Sequence, residues 1–198
     1  AAGGAVDGGL GGVAETTRDL RGKVRAMIHV HELLSPERDG DSAVLDLASL
    51  VVRLADHCVG RDRRGSVAFE GPPVSLGAKQ AGAMAMVLQE LFTNSAKHGA
   101  LSGDGSIRIA WRHASDQDGP LLELRWEDRR EGPGGPFEEG VGLRLIRGFV
   151  SMELGGASEF SLGPRGFAAV LSIRPEPRES AIGGAGEGAT HDDRGITP

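Results

Sequence analysis

The feature that most limits the possible folds is a long segment, residues 77–98, with the periodicity of a single helix. Its apolar residues recur every three or four positions, which predicts an amphipathic helix. These residues are Met84, Val87, Leu88, Leu91 and Phe92. Such a stripe must pack on another apolar surface. The segment ends at Gly99, where we expect a residue in the left-handed conformation.

Shorter segments around this helix alternate between apolar and polar residues, as half-buried strands do. They lie at residues 66–69, 107–112, 121–126, 158–161 and 167–173. Two more helices are predicted at residues 45–58 and 141–154. Strands joined by short turns pair antiparallel, so this order predicts an α+β fold, a two-layer sandwich with the helices on one face of the sheet.

The chain divides into four parts. Residues 1–12 and 176–198 are rich in glycine, and the second stretch is also acidic, so we expect both to be flexible. Residues 13–60 are predicted to be helical, and a heptad of apolar positions over residues 13–34 indicates packing against another helix, as in a homodimer. Residues 61–175 carry the α+β domain.

Composition excludes several classes of protein. Cys58 is the single cysteine, which rules out a disulfide framework and a cysteine-based zinc site and fits a reducing compartment, so we expect a cytoplasmic protein. The net charge of −6 argues against binding to nucleic acid, because duplex binding requires a basic surface. No apolar run is long enough to cross a bilayer.

Polar side chains gather near the end of the long helix. Glu90, Asn94 and Lys97 fall on one face at successive turns, and His98 lies at the edge of that face. An amide oxygen suits Mg²⁺, a carboxylate can orient a water or take a proton, and a cation can neutralise phosphate charge. A solvated helix face is the ordinary alternative for such a triplet.

Two further features point to an anionic ligand. Asp128 follows a strand and could accept a hydrogen bond from an exocyclic amine such as that of adenine; a solvated turn is the alternative. Gly140 and Gly142 stand where a helix begins, and glycines there allow backbone N–H groups to approach an anion. By themselves these two glycines are equally consistent with a plain turn.

Together these segments resemble a known family. Residues 88–102, Leu-Gln-Glu-Leu-Phe-Thr-Asn-Ser-Ala-Lys-His-Gly-Ala-Leu-Ser, resemble the N box of sensor histidine kinases, especially those of the HWE group. Residues 140–156 resemble that group's glycine box and the helix after it. Other segments fit the pattern at residues 71–74, 121–128 and 166–174. The resemblance covers residues 20–175 and implies a GHKL-type ATP-binding fold, preceded by a helical segment from a dimerisation hairpin.

The resemblance also implies roles for the helix residues. Asn94 would hold a Mg²⁺ ion that bridges the phosphates of ATP. Glu90 would be the activating carboxylate of the catalytic pair that it forms with Asn94. Lys97 and His98 would lie near the phosphates.

For the remaining residues the resemblance implies contacts with both ends of ATP. Asp128 would contact the adenine amine, although a stretched spacing after the strand leaves Glu131 as the alternative acid. Gly140 and Gly142 would shape the ATP lid and the phosphate edge, and Arg144 would be a neighbour of the phosphates.

The implied function is transfer of the γ-phosphoryl group of ATP to a histidine and from there to the receiver domain of a response regulator. Two departures from the family matter. Gln89 replaces the usual histidine before Glu90, and the phosphoacceptor helix has no counterpart, since His29 and His31 are better explained as surface and interface residues. The alternative is therefore a degenerate GHKL module that docks a response regulator without catalysis. An anti-sigma-type serine kinase on the same fold fits less well, because such proteins lack the preceding hairpin.

Overall fold

The structure, a computed structural model, describes residues 45–130 and 139–174. In these residues the strands are β1 Leu45–Asp46, β2 Val67–Glu70, β3 Ser75–Leu76, β4 Ser106–Asp116, β5 Gly119–Arg129, β6 Ala157–Gly163 and β7 Gly166–Ile173. The helices are α1 Leu47–Val59, α2 Ala78–His98 and α3 Val141–Met152, with short 3-10 helices at Arg61–Ser66 and Ala100–Ser102.

Five of the strands form one sheet in the order β2-β4-β5-β7-β6. Strand β2 runs parallel to β4, and the other neighbours are antiparallel. The alternation along β4 and β5 gives the sheet one buried face, carrying Ile107, Ile109, Trp111, Leu122, Leu124 and Trp126, all at most 5% exposed. These side chains share a single core with the three helices, which confirms the predicted two-layer α+β sandwich.

Helix α2 lies at the centre of the helical layer. It packs against α1 on one side and α3 on the other, so its burial extends beyond the predicted stripe to small residues such as Ala81, Ala83 and Ala85. On the sheet side the Phe92 ring meets the edge of Trp126 of β5, with the ring centroids 4.9 Å apart. This packing fixes the last turns of α2 beside the end of β5.

The other face of the sheet is charged. Arg108 pairs with Glu70 across strands, and Arg112 pairs with Glu123 at 2.9 Å. Exposed pairs of this kind contribute little to stability but keep the face hydrated. In the two described ranges there is no helix with the length and apolar character needed to cross a membrane.

All the predicted strands and helices inside the described residues are present, with shifted ends. Strand β4 was predicted over residues 107–112 and β5 over residues 121–126, but both extend further, because the antiparallel ladder continues to the turn at one end and to the pair Ser106 and Arg129 at the other. The pairing of β1 with β3 was not predicted, since two residues show no alternation. The predicted helix at residues 13–34, with His29 and His31, lies outside the described residues.

The prediction for Gly99 is wrong. Its φ is −112°, so the residue is not in the left-handed region. The position needs glycine for space: a Cβ atom there would overlap the carboxylate of Asp128. Glycine is required at position 99 because the Asp128 side chain occupies the space beside it, and not because the end of the helix needs a left-handed residue.

Candidate functional site

A cavity of about 620 Å³ opens between the end of α2, the end of β5 and the start of α3. This volume is typical of sites for small molecules and cofactors. Seven of the eight candidate residues line the cavity: Glu90, Asn94, Lys97, His98, Asp128, Gly140 and Gly142. Candidate residues from Glu90 to Gly142, 52 positions apart in the sequence, therefore meet in one place, and Arg144 is the candidate that does not line it.

The polar face of α2 forms one wall. Glu90 is only 5% exposed, so a solvated helix face does not describe it. Asn94 lies one turn later and is half-buried, while Lys97 and His98 are exposed at the mouth of the cavity. Along this wall exposure to solvent therefore increases from the buried Glu90 carboxylate, through the half-buried Asn94 amide, to the exposed Lys97 ammonium group.

The start of α3 covers this wall. A Cβ atom on Gly142 would lie 3.1 Å from Glu90 Oε2 and 3.2 Å from Asn94 Oδ1. Gly140 is the N-cap of α3 and provides no side-chain hydrogen bond to the first turn. The first-turn N–H groups of a helix carry partial positive charge and suit an anionic group.

Asp128 forms the opposite end of the cavity and is only 3% exposed. In the sheet its Cα atom faces Ile107 of β4 and Phe167 of β7. Its carboxylate accepts hydrogen bonds from the Ala100 N–H and from the Ser95 hydroxyl. Burial raises the pKa of Asp128, while these two hydrogen bonds and the charge of Arg130 act in the opposite direction.

Ser95 is a residue of the site that was not predicted from the sequence. This side chain is 1% exposed, and its Oγ accepts a hydrogen bond from the Leu101 N–H at 3.2 Å while donating to Asp128. The signal was present in the sequence, because Ser95 continues the apolar stripe that runs through Leu88 and Leu91. A hydroxyl on such a stripe is buried and must find polar partners.

The apolar part of the lining was also missed. It consists of Leu91, Val141, Leu143, Leu162 and Phe167. Phe167 and Leu162 come from β7 and β6, which the sequence predicted as strands without relating them to the site. A cavity with polar groups at both ends and apolar side chains between them suits a ligand with a flat apolar part and a charged part.

Arg144 does not line this cavity. Its guanidinium donates to the Glu139 carbonyl oxygen at 3.2 Å. The neighbouring Arg147 connects α3 to β6 by donating to the Ser158 carbonyl at 2.7 Å, and it also donates to the carboxylate of Glu139, just before α3, at 2.8 Å. The Arg147 guanidinium also lies 4.7 Å from the centre of the Phe160 ring.

Among residues 45–130 and 139–174, no group of three or more His, Cys, Asp or Glu side chains is placed to hold a metal ion. Mg²⁺ rarely needs such a group, since it keeps several waters and takes only one or two protein oxygens together with substrate phosphates. The Asn94 amide oxygen, which lines the cavity one helical turn after Glu90, fits that manner of binding.

The chain is similar in sequence to histidine kinases. It is 29% identical over 171 residues to blue-light-activated histidine kinase 1 of Erythrobacter litoralis, a match that covers 81% of this chain and 44% of that protein. It is 25% identical over 135 residues to a blue-light-activated histidine kinase of Brucella ovis, covering 67% of this chain and 27% of that protein. The chain thus spans less than half the length of these relatives. No protein-family model matches it.

Solved structures give the same result for the fold. The histidine kinase domain of the Erythrobacter litoralis EL346 blue-light-activated histidine kinase superposes with a TM-score of 0.52 at 22% identity, over 78% of this chain and 73% of that domain. The longer EL346 structure superposes with a TM-score of 0.53 at 21% identity, over 82% of this chain and 50% of that one. The resemblance to sensor histidine kinases is therefore confirmed, and the chain has the α+β fold of a histidine kinase domain.

Proposed function

We propose that this chain is the ATP-binding catalytic region of a two-component histidine kinase, which transfers the γ-phosphoryl group of ATP to a histidine. The observation that carries the proposal is the single cavity that joins Glu90 and Asn94 of α2, Asp128 of β5 and the glycines that open α3. The sequence similarity to histidine kinases supports the same activity.

In this proposal the adenine ring enters the apolar part of the cavity and its amino group donates to Asp128. The carboxylate lies at the buried end, where a hydrogen bond to a charged acceptor is strong because water does not compete. Phe167 and Leu162 line the neighbouring wall and offer apolar contact to a flat ring. Asp128 is the residue that we assign to base recognition; the alternative acid, Glu131, lies outside the described residues.

The phosphate chain extends toward the other end, between α2 and the start of α3. Asn94 is the residue that would hold a Mg²⁺ ion there, and the ion would supply positive charge that neutralises the phosphates. Lys97 and His98 stand at the mouth, where they can meet the terminal phosphates. The α3 N-terminus with Gly140 and Gly142 offers backbone N–H groups to the same anion.

Glu90 is placed to activate the attacking group. It is buried one turn before Asn94, so it can orient the acceptor imidazole and take its proton as an imidazole nitrogen bonds to the γ-phosphorus. In the same step the bond between the γ-phosphorus and the β,γ-bridging oxygen breaks, and ADP leaves with that oxygen. Little further covalent chemistry is required of the protein, since phosphoryl transfer depends mainly on positioning and charge neutralisation.

The acceptor histidine and the downstream partner complete the proposal. Because no phosphoacceptor was identified in the sequence, we infer that the histidine belongs to another helical segment, and that a receiver domain accepts the phosphoryl group from it. We further propose a homodimer through the N-terminal helices and a cytoplasmic site of action, where ATP and response regulators are found.

Transfer between separate molecules tests the proposal. The chain is incubated with Mg²⁺, ATP labelled at the γ-phosphate, and a phosphoacceptor helical hairpin from a histidine kinase relative. We expect label on the hairpin that is labile to acid and stable to alkali, as phosphohistidine is. Glu90→Gln should reduce the rate at least about a hundredfold, the usual contribution of a general base.

The matched control is Glu159→Gln, which changes an exposed carboxylate on β6 and should leave the rate unchanged. If the chain binds MgATP but labels no histidine-bearing segment, the docking-module alternative replaces the kinase. If it binds no nucleotide at all, both the kinase and the assignment of the cavity are wrong.

A further inference from the structure

Ser95 and Asp128 form a buried polar network behind the cavity. The Ser95 hydroxyl donates to the Asp128 carboxylate, and Ser95 Oγ accepts the Leu101 N–H at 3.2 Å. Asp128 Oδ1 accepts the Ala100 N–H. The network links three separate elements, helix α2, the 3-10 turn Ala100–Ser102 and strand β5, at a point where both side chains are at most 3% exposed.

These contacts leave the carboxylate little freedom. Two donors hold it from the protein side, and the absence of a side chain at Gly99 provides the space that it fills. A buried carboxylate with fewer donors could rotate or take up a proton, because burial disfavours its charged form. In either case its acceptor oxygen would no longer be presented steadily to a ligand in the cavity.

We propose that Ser95 is a positioning residue for base recognition: its hydroxyl holds the Asp128 carboxylate in the orientation, and in the ionised form, that accepts the amino group of a 6-aminopurine. This inference rests on the proposed function, because it assumes that the base lies at the Asp128 end of the cavity. Ser95 itself acts through Asp128 and is not assigned a contact with the reacting atoms.

Several charged groups lie near Asp128, and a second cavity is lined by Asp128 together with Arg125, Glu127, Arg129 and Arg165. Arg130, two residues further along the chain, favours the ionised carboxylate. Glu90, Lys97 and His98 line the same cavity from α2. Strands β4 and β7 place the non-ionisable residues Ile107 and Phe167 opposite Asp128 in the ladder. The Ser95 hydroxyl stabilises the ionised carboxylate, so its loss should raise the pKa of Asp128.

The experiment compares wild type with Ser95→Ala, using Ser161→Ala of an exposed β6 position as the control. Affinity is measured for MgATP and for the magnesium complex of purine riboside triphosphate, which lacks the 6-amino group. Both titrations are repeated across pH. The pKa of the Asp128 carboxyl is followed by carbon-13 NMR without nucleotide, which provides a readout independent of binding.

We expect Ser95→Ala to bind MgATP about tenfold more weakly, as for loss of a hydrogen bond to a charged group. Its affinity for purine riboside triphosphate should stay within about twofold of wild type. The pKa of Asp128 should rise, and the fall in ATP affinity on acidification should begin at a higher pH. Ser95→Thr keeps the hydroxyl and should restore the discrimination between the two nucleotides.

Three results overturn the inference: unchanged ATP affinity in Ser95→Ala, equal losses for both nucleotides, or an unchanged pKa of Asp128. Equal losses would indicate a structural role alone. If wild type binds neither nucleotide, the proposed function fails. The part of the inference that concerns Asp128 is then decided by the pKa alone, since a rise in Ser95→Ala supports the positioning role and no rise refutes it.

Discussion

Gly142 at the start of α3 lies directly against Asn94 of α2. A Cβ atom at position 142 would be 3.2 Å from Asn94 Oδ1, closer than carbon and oxygen atoms normally approach. At this contact α3 therefore contributes only backbone, and the Asn94 side chain lies directly against it. In our account this leaves the Asn94 amide accessible to a metal ion while the backbone of the first turn of α3 approaches the phosphates.

The first prediction concerns this contact. Gly142→Ala should weaken MgATP binding at least about tenfold, because the new methyl group displaces Asn94 or pushes α3 away from it. Calorimetric titration measures the effect. Gly148→Ala in the same helix is the control: its Cβ would meet only Met152 Cε, at 3.5 Å, so affinity should be kept. Equal affinities for all three proteins would contradict the account.

The second prediction concerns stability at the other end of the cavity. Gly99→Ala should lower the free energy of unfolding by about 2 kcal/mol, the cost of an overpacked buried site, because its methyl group overlaps the Asp128 carboxylate. Urea denaturation measures the change. Gly103→Ala places its Cβ where nothing lies within 4 Å and should be close to neutral. A Gly99→Ala variant as stable as Gly103→Ala would show that Asp128 does not occupy this space.

The third prediction follows from the raised pKa of Asp128. The folded chain holds this proton more tightly than the unfolded chain, so the contribution of Asp128 to the free energy of unfolding falls as pH rises between its unfolded and folded pKa values. In the Asp128→Asn variant the side chain at position 128 is an amide, which does not titrate. The stability of this variant relative to wild type should therefore increase as pH rises from about 4, the unfolded pKa of an aspartate, toward the raised pKa of the folded chain, measured by thermal unfolding. A constant difference, or one of opposite sign, would contradict the raised pKa.

The fourth prediction separates Arg144 from the cavity residues. Its guanidinium is directed to the Glu139 carbonyl rather than into the cavity. We therefore expect Arg144→Ala to change MgATP affinity by less than about threefold, far less than Asn94→Ala. A tenfold loss in both variants would show that Arg144 reaches the phosphates when nucleotide binds, as the family resemblance implied.

Periodicity was sufficient to predict the fold because most of its elements are amphipathic and long. Helix α2 and strands β4 and β5 carry regular apolar patterns that only one layered arrangement can bury. The two-residue strands β1 and β3 carry no such pattern, and their pairing depends on tertiary contacts that a local reading does not contain.

The site was predicted in part for a similar reason. Glu90 and Asn94 could be predicted as site residues because they lie on one face of a helix, and Asp128 because it follows an apolar strand. The role of Gly99 could not, because it depends on which side chain from a distant strand occupies the neighbouring space. Ser95 was missed because the sequence indicates that a hydroxyl on an apolar stripe needs a polar partner, but does not identify that partner as Asp128.

The most direct test of the central claim is a calorimetric titration of the wild-type chain and of Asn94→Ala with ATP, each in Mg²⁺ and in EDTA. Gln117→Ala, an exposed amide in the turn between β4 and β5, is the control. The account predicts that wild type and the control lose at least about tenfold in affinity when Mg²⁺ is removed. Asn94→Ala should bind weakly in both conditions. Binding by Asn94→Ala that equals wild type in affinity and in dependence on Mg²⁺ would contradict the account.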